Sequence, residues 1–216
     1  MAFDLTILLS AELHDVKNLM QTLSDSHDEL AEELKDNPDC QQRIDKIKLH
    51  IQNLNHRLVE LLSILKLQNP DFNSADDEHW LIDTLTPLIH EFELLMDLKI
   101  QADFDTDFNG FYDEQLVEIA LRNIFTNAHR AGAKKVKVEL EEFDDGRWIL
   151  SLSDDGPGFK SEHLQQTEFH PEGAQSGLGL YLIQQAIGAH NRAGKCGKMK
   201  LSNQPNGGAV TQLVFP

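Results

Sequence analysis

Through the first third of the chain, apolar side chains recur at alternating steps of four and three: Leu9, Leu13, Val16, Met20, Leu23, then His27, Leu30 and Leu34. That average period of about 3.5 winds one stripe along one face of an α-helix and excludes a strand, whose period is two. Such a stripe needs a second helix to cover it. "KDNPD" at 35–39 breaks the pattern with Asn and Pro. The alternation resumes at Ile44, Ile47, Ile51, Leu54, Leu58, Leu61 and Leu65. The spacing predicts two helices joined by a short turn, an antiparallel hairpin over residues 1–67. One hairpin buries too little apolar surface to stand alone, so the pattern predicts a homodimer in which two copies form a four-helix bundle.

The rest of the chain follows a different logic. "QNPDFNSADD" at 68–77 is polar, contains Asn-Pro and reads as a linker. Ile82, Leu85, Ile89, Phe92 and Met96 mark an amphipathic helix, with Pro87 as the place for a kink. "KIQADFD" alternates like a strand, and residues 113–131 read as helix. "KKVKVELEEF" and "RWILSLSD" flank Asp144-Asp145-Gly146 and predict a β-hairpin. Residues 156–176 lack periodicity and read as a long loop. "GLGLYLIQQAIGAH" is a helix opening on glycines, and a second hairpin closes the chain around Pro205-Asn206-Gly207. The expected fold class is therefore α+β: a helical hairpin, then a layered α/β domain over 78–216.

Composition narrows the function. The 216 residues are 40% hydrophobic, enough for a core, and carry a formal net charge of −17. A chain this acidic repels phosphate backbones and anionic bilayers, which argues against nucleic acid and membrane surfaces as partners. No apolar run approaches the ~20 residues needed to span a bilayer, so no membrane insertion is expected. "MAFDLTILLSAELHD" lacks a basic n-region and a small-residue cleavage site and reads as helix rather than signal peptide. Cys40 and Cys196 are too few for a disulfide framework and sit in no metal-ligand pattern, which fits a reducing cytoplasm.

Three stretches carry chemistry. In "SDDGPGF", 153–159, Asp154 stands where a strand gives way to a turn and can accept a hydrogen bond from an exocyclic amine; Gly156 and Gly158 allow close backbone approach. In "SGLGL", 176–180, Gly177 and Gly179 open a helix whose free N–H groups suit phosphate. In "LRNIFTNAHRAGA", 121–133, Asn123 and Asn127 share one helix face one turn apart; Asn127 can offer a carbonyl oxygen to Mg²⁺ and Arg130 can pair with phosphate. Each stretch taken singly is equally an ordinary turn, cap or polar helix edge.

In this order the three resemble the ATP-binding domain of histidine kinases in the GHKL superfamily: "NIFTNAHR" the N-box, "DDGPGF" the G1 box and "GLGL" the G2 box. The closing "LSNQPNGGAVTQLVFP" resembles that family's final hairpin. The resemblance implies an α/β sandwich that binds ATP and Mg²⁺. It places Asn127 at the metal, Asn123 and Arg130 near the phosphates and Asp154 at the adenine amine. Gly156, Gly158, Gly177 and Gly179 line the nucleotide, and residues 160–176 form the lid.

That resemblance changes the reading of "HDVKN" in the first helix. It resembles the family's H-box, which implies that His14 accepts phosphate from ATP and passes it to an aspartate of a response-regulator receiver domain. His14 follows the seam residue Leu13, and Asp15 beside it can orient the imidazole or take its proton. By the same resemblance Asn18 positions water for dephosphorylating the partner. Leu19 stands where many members have Pro, the lid is short, and no clear phenylalanine-rich box is present beyond Phe169. No sensor segment precedes the hairpin, so any signal is expected to come from a separate sensor protein or from something that binds these two domains. The competing reading is a histidine phosphotransferase that relays phosphate between receivers without using ATP.

Overall fold

The computed structural model of the protein describes residues 5–34, 38–69, 72–166, 168–169 and 177–216, with side chains described from Val16 onward in the first helix and at part of the second. The chain divides into two compact units, Met1–Phe72 and Asn73–Pro216.

The first unit is two long helices, α1 (Leu5–Glu33) and α2 (Pro38–Gln68). The turn at 35–37 lies outside the described residues. The heptad stripe splits in a regular way. Ile44, Ile51 and Leu58, seven apart, are buried, while Ile47, Leu54 and Leu61 between them are exposed. In α1, His27 is buried and Met20 and Leu34 are half-buried, while Val16, Leu23 and Leu30 are exposed. One residue of each heptad pair thus packs within the hairpin and the other lies uncovered. His27 ties the two helices together: Nε2 lies 2.8 Å from the Ile44 carbonyl oxygen and Nδ1 3.1 Å from the Asp28 carboxylate.

The second unit runs β1 (Asp77–Trp80), α3 (Leu81–Met96), β2 (Lys99–Asp103), β3 (Asn109–Tyr112), α4 (Glu114–Arg130), β4 (Lys135–Glu142) and β5 (Trp148–Asp154). It continues through α5 (Ser161–Gln165), α6 (Gly177–Gly188), β6 (Asn191–Arg192), β7 (Lys195–Cys196), β8 (Lys198–Asn203) and β9 (Ala209–Phe215). Five strands form one sheet in the order β2-β4-β5-β9-β8, with β2 parallel to β4 and the other pairs antiparallel. Alternate residues on one face are buried, among them Val136, Val138, Leu150, Leu152, Leu213 and Phe215. Helices α3 and α6 pack against the sheet and α4 packs with both of them, giving a helix layer on a sheet layer. Trp148 stacks on Phe215 at 3.7 Å, and Tyr112 packs against both rings. Burial pushes the Tyr112 hydroxyl up to about 12, against the hydrogen bond it shares with Thr84.

Three features differ from the expectations. A two-stranded sheet, β1 with β3, is built from "DEHW" and "NGFY", which are too short to show alternation. The β6–β7 hairpin turns through Ala193 and Gly194, both at positive φ, directly after α6. Helix α3 runs through Pro87, and its buried side is Leu81, Thr84, Leu85, Leu88 and Phe92, a stripe rotated from the predicted one. Among the described residues, no helix is long and apolar enough to cross a membrane.

Candidate functional site

Strand β5 ends in the glycine-rich turn. Val136 pairs with Asp154, and Lys137 with Ser153. Val136 is buried toward the helices, so the pleat puts Asp154 on the helix side of the sheet and Ser153 on the open side. Asp154 Oδ1 accepts from the Gly156 N–H at 2.8 Å and from the Ala209 N–H at 3.1 Å. Its backbone carbonyl accepts from Gln204 Nε2 at 3.4 Å. Asp154 Oδ2 has no hydrogen bond among the described residues, so it can accept one from a ligand. A Cβ on Gly156 would sit 3.0 Å from Asp154 Oδ1, and Gly158 has φ +84.

Helix α4 is started by Asp113, whose Oδ1 accepts from the Leu116 N–H at 3.1 Å. The Asp113 N–H itself donates to Nε2 of buried His190 at 3.1 Å. The cap fixes the phase of α4, and that phase turns Asn123 and Asn127 toward α6. Asn123 is buried and donates from Nδ2 to the Ile119 carbonyl at 3.0 Å. A Cβ on Gly179 would lie 3.1 Å from Asn123 Oδ1 and 3.4 Å from Asn127 Nδ2. The first turn of α6 therefore lies directly on the two amides. On the other side, a Cβ on Gly156 would meet the Ala133 Cβ at 3.5 Å, just past the end of α4. Gly179 thus meets the two amides of α4, and Gly156 meets the residue just past the end of the same helix.

Asn127 is half-buried and its amide has no hydrogen bond among the described residues. A neutral carboxamide oxygen of this kind suits a hard cation such as Mg²⁺, and the residues present fit that ion. Arg130, at the end of α4, is exposed and has no ion pair among the described residues. Arg122 on the same helix is committed elsewhere: despite partial burial its guanidinium is held charged by Glu91 at 2.6 Å and Glu118 at 3.0 Å. Gly177 is the first residue of α6. Residues 167 and 170–176 of the expected lid lie outside the described residues; before them stands the short helix α5. Phe169 is buried, with its N–H donating to Gln184 Oε1 at 2.9 Å.

His14 and Asp15 lie within α1, and their side chains are outside the described residues; Asn18, one turn on, is exposed. They belong to the first unit and the nucleotide-type residues to the second.

Sequence reasoning missed Ala209, Gln204, Asn203 and Asp155. The first three are polar tethers that reach the turn from 44 to 55 residues away. A cavity of about 410 Å³ opens beside the same turn, where Asp154 and Gly156 line it together with Ser153, Lys99, Lys135 and Lys137. Its basic wall is offset, because Lys137 pairs with Asp103 and Glu139, and Asp155 lines the same wall.

Residues 112–216 match the model of the family described as histidine kinase-, DNA gyrase B-, and HSP90-like ATPase. Sensor protein SphS of Synechococcus elongatus is 27% identical over 225 residues, covering 94% of this chain and 52% of that protein. The chain thus spans about half the length of that relative. Among solved structures, histidine kinase AdeS of Acinetobacter baumannii superposes with a TM-score of 0.62 at 21% identity, covering 94% of this chain and 96% of that one. Full-length ShkA in complex with AMPPNP gives 0.66 at 16% identity, covering 95% of this chain and 45% of that one. At these identities the structural matches show a shared fold.

Asp155 yields a test of the turn's electrostatics. Burial works to raise its carboxyl, but the backbone N–H groups of Lys135 at 2.9 Å and Lys134 at 2.7 Å outweigh it and hold it below the usual range. A depressed carboxyl stabilises the fold above its unfolded value, and that contribution is lost as pH falls through the folded value. Asp155→Ala is therefore expected to unfold more easily at neutral pH, with the gap from wild type closing as pH drops below about 4. Tryptophan fluorescence reads this unit selectively, since Trp80 and Trp148 both lie in it. A gap that persists undiminished in acid contradicts the assignment.

Proposed function

We propose that the chain is an ATP-dependent protein-histidine kinase acting on its own His14; the match of residues 112–216 to the ATPase family model and the fold shared with histidine kinase structures support this reading. The observation that carries the proposal is the convergence of Gly179 on Asn123 and Asn127 beside the Asp154 turn. In this reading Asp154 accepts from the adenine amine through Oδ2, Asn127 offers its oxygen to Mg²⁺, and Asn123 and Arg130 lie near the phosphates. Gly156, Gly158, Gly177 and Gly179 let backbone approach the nucleotide. Mg²⁺, when bound, neutralises phosphate charge; the chain's own residues supply positioning.

His14 attacks the γ-phosphorus: an N–P bond forms, the bond to the β,γ-bridging oxygen breaks, ADP leaves, and Asp15 or water takes the imidazole proton. The phosphoryl group then passes to an aspartate of a receiver domain, and Asn18 positions water when the direction is hydrolysis. The setting is cytoplasmic. Support for a homodimer comes from the hairpin, where Val16, Leu23, Leu30, Ile47, Leu54 and Leu61 repeat every seven residues on its uncovered side. A second copy covers them and completes a four-helix bundle.

Two outcomes are expected. Wild type binds Mg-ADP in calorimetry, while Asp154→Asn weakens binding by about tenfold or more, the loss of one charge-assisted hydrogen bond. No binding by wild type at millimolar nucleotide overturns the kinase reading and leaves the phosphate relay. In sedimentation, wild type runs as a dimer and the double variant Leu23→Glu with Leu54→Glu runs as a folded monomer; a monomeric wild type contradicts the bundle.

A further inference from the structure

We propose that Asn203 is a positioning residue for nucleotide binding, clamping the glycine turn after Asp154 into its binding shape; this rests on the nucleotide reading above. Asn203 closes β8 and is exposed. Its Oδ1 accepts from the Phe159 N–H at 2.7 Å, and its Nδ2 donates to the Phe159 carbonyl at 2.9 Å. One side chain thereby reproduces both hydrogen bonds of a strand pair at a residue that has no strand partner. The amide's orientation follows from chemistry, because an N–H can only donate and a carbonyl can only accept.

The contact is matched to a glycine. Gly158 has φ +84, and a Cβ there would lie 2.8 Å from Asn203 Oδ1 and 2.9 Å from its Cγ. The carboxamide therefore lies against a bare Cα. At the other end of the turn, Asp154 Oδ1 holds the Gly156 N–H. Between these tethers Pro157 fixes its own φ. The turn is pinned at both ends before any ligand arrives, so binding need not bear the entropy of ordering it. Asn203 does not reach the reacting atoms; it acts through Phe159 and through Gly158, the glycine of the proposed site against which it lies. Asp is not a substitute, since its second oxygen would face the Phe159 carbonyl oxygen.

The test uses the full chain with Asn203→Ala, Asn203→Asp and, as control, Ser202→Ala on the adjacent, opposite-facing position of β8. Both Asn203 variants are expected to bind Mg-ADP about tenfold more weakly, the fold-change that one or two ordinary hydrogen bonds carry. Amide exchange at Phe159 should accelerate in both, while Ser202→Ala matches wild type. In autophosphorylation, KM for ATP should rise by that factor and kcat should fall far less. Wild-type affinity in both Asn203 variants, or an equal fall in kcat with no rise in KM, overturns the clamp. A wild type that binds no nucleotide overturns the underlying reading, and the clamp's role with it.

Discussion

The second unit depends on a single carboxylate oxygen. Asp154 Oδ1 accepts from Gly156 within its own turn and from Ala209 at the start of the neighbouring strand. This ties the end of β5 to the beginning of β9, where the backbone must pass unusually close. Gly208, at φ +100, crosses the Asp154 carbonyl so tightly that a Cβ there would collide with the oxygen. The register that results puts Asp154 on the helix side. A slip of one residue would turn it to the open face and put Ser153 in its place. The same sheet carries α6, and α6 lies on the two amides of α4 through Gly179, so the register of the strands sets where the amides and the carboxylate stand.

The parts of this arrangement that repeat or cluster locally were legible in the sequence. The alternation of four and three marked both helices of the hairpin, while the division of that stripe into a covered and a bare half is seen only in the structure. "NIFTNAHR", "DDGPGF" and "GLGL" are short enough to be seen as units. What was not legible depends on distant partners. The pair β1 with β3 joins residues 77–80 to 109–112, and four-residue strands carry no period. The tethers at Ala209, Gln204 and Asn203 are polar contacts across 44 to 55 residues, which no local pattern announces. His27 sits on the apolar seam like a tolerated exception, yet both of its ring nitrogens have partners, one on each helix. A long-range hydrogen bond leaves its trace in residue type alone, and Asn and His are common for many other reasons.

The division of labour between the two units follows from what each can offer. The sandwich supplies rigid backbone, close glycine approaches and oxygen donors, which suit a nucleotide. The hairpin supplies, in the proposed reading, a histidine carried on a helix. The uncovered half of the heptad stripe explains why the hairpin is built from such long helices: each large apolar side chain buried by a partner contributes roughly 1.5–3 kcal/mol, and six of them repeat along one side. Under the proposed function, the phosphoacceptor stands on a scaffold that is completed only when two copies meet.

The most direct test of the account follows the γ-phosphate. The purified 216-residue chain is incubated with Mg-ATP labelled at the γ-position, beside a His14→Gln variant that still binds Mg-ADP. The account predicts acid-labile, base-stable label on wild type, mapped to His14, drained by a cognate receiver domain and absent from the variant. Equal labelling of the two proteins, or no label on a wild type that binds nucleotide, would contradict it.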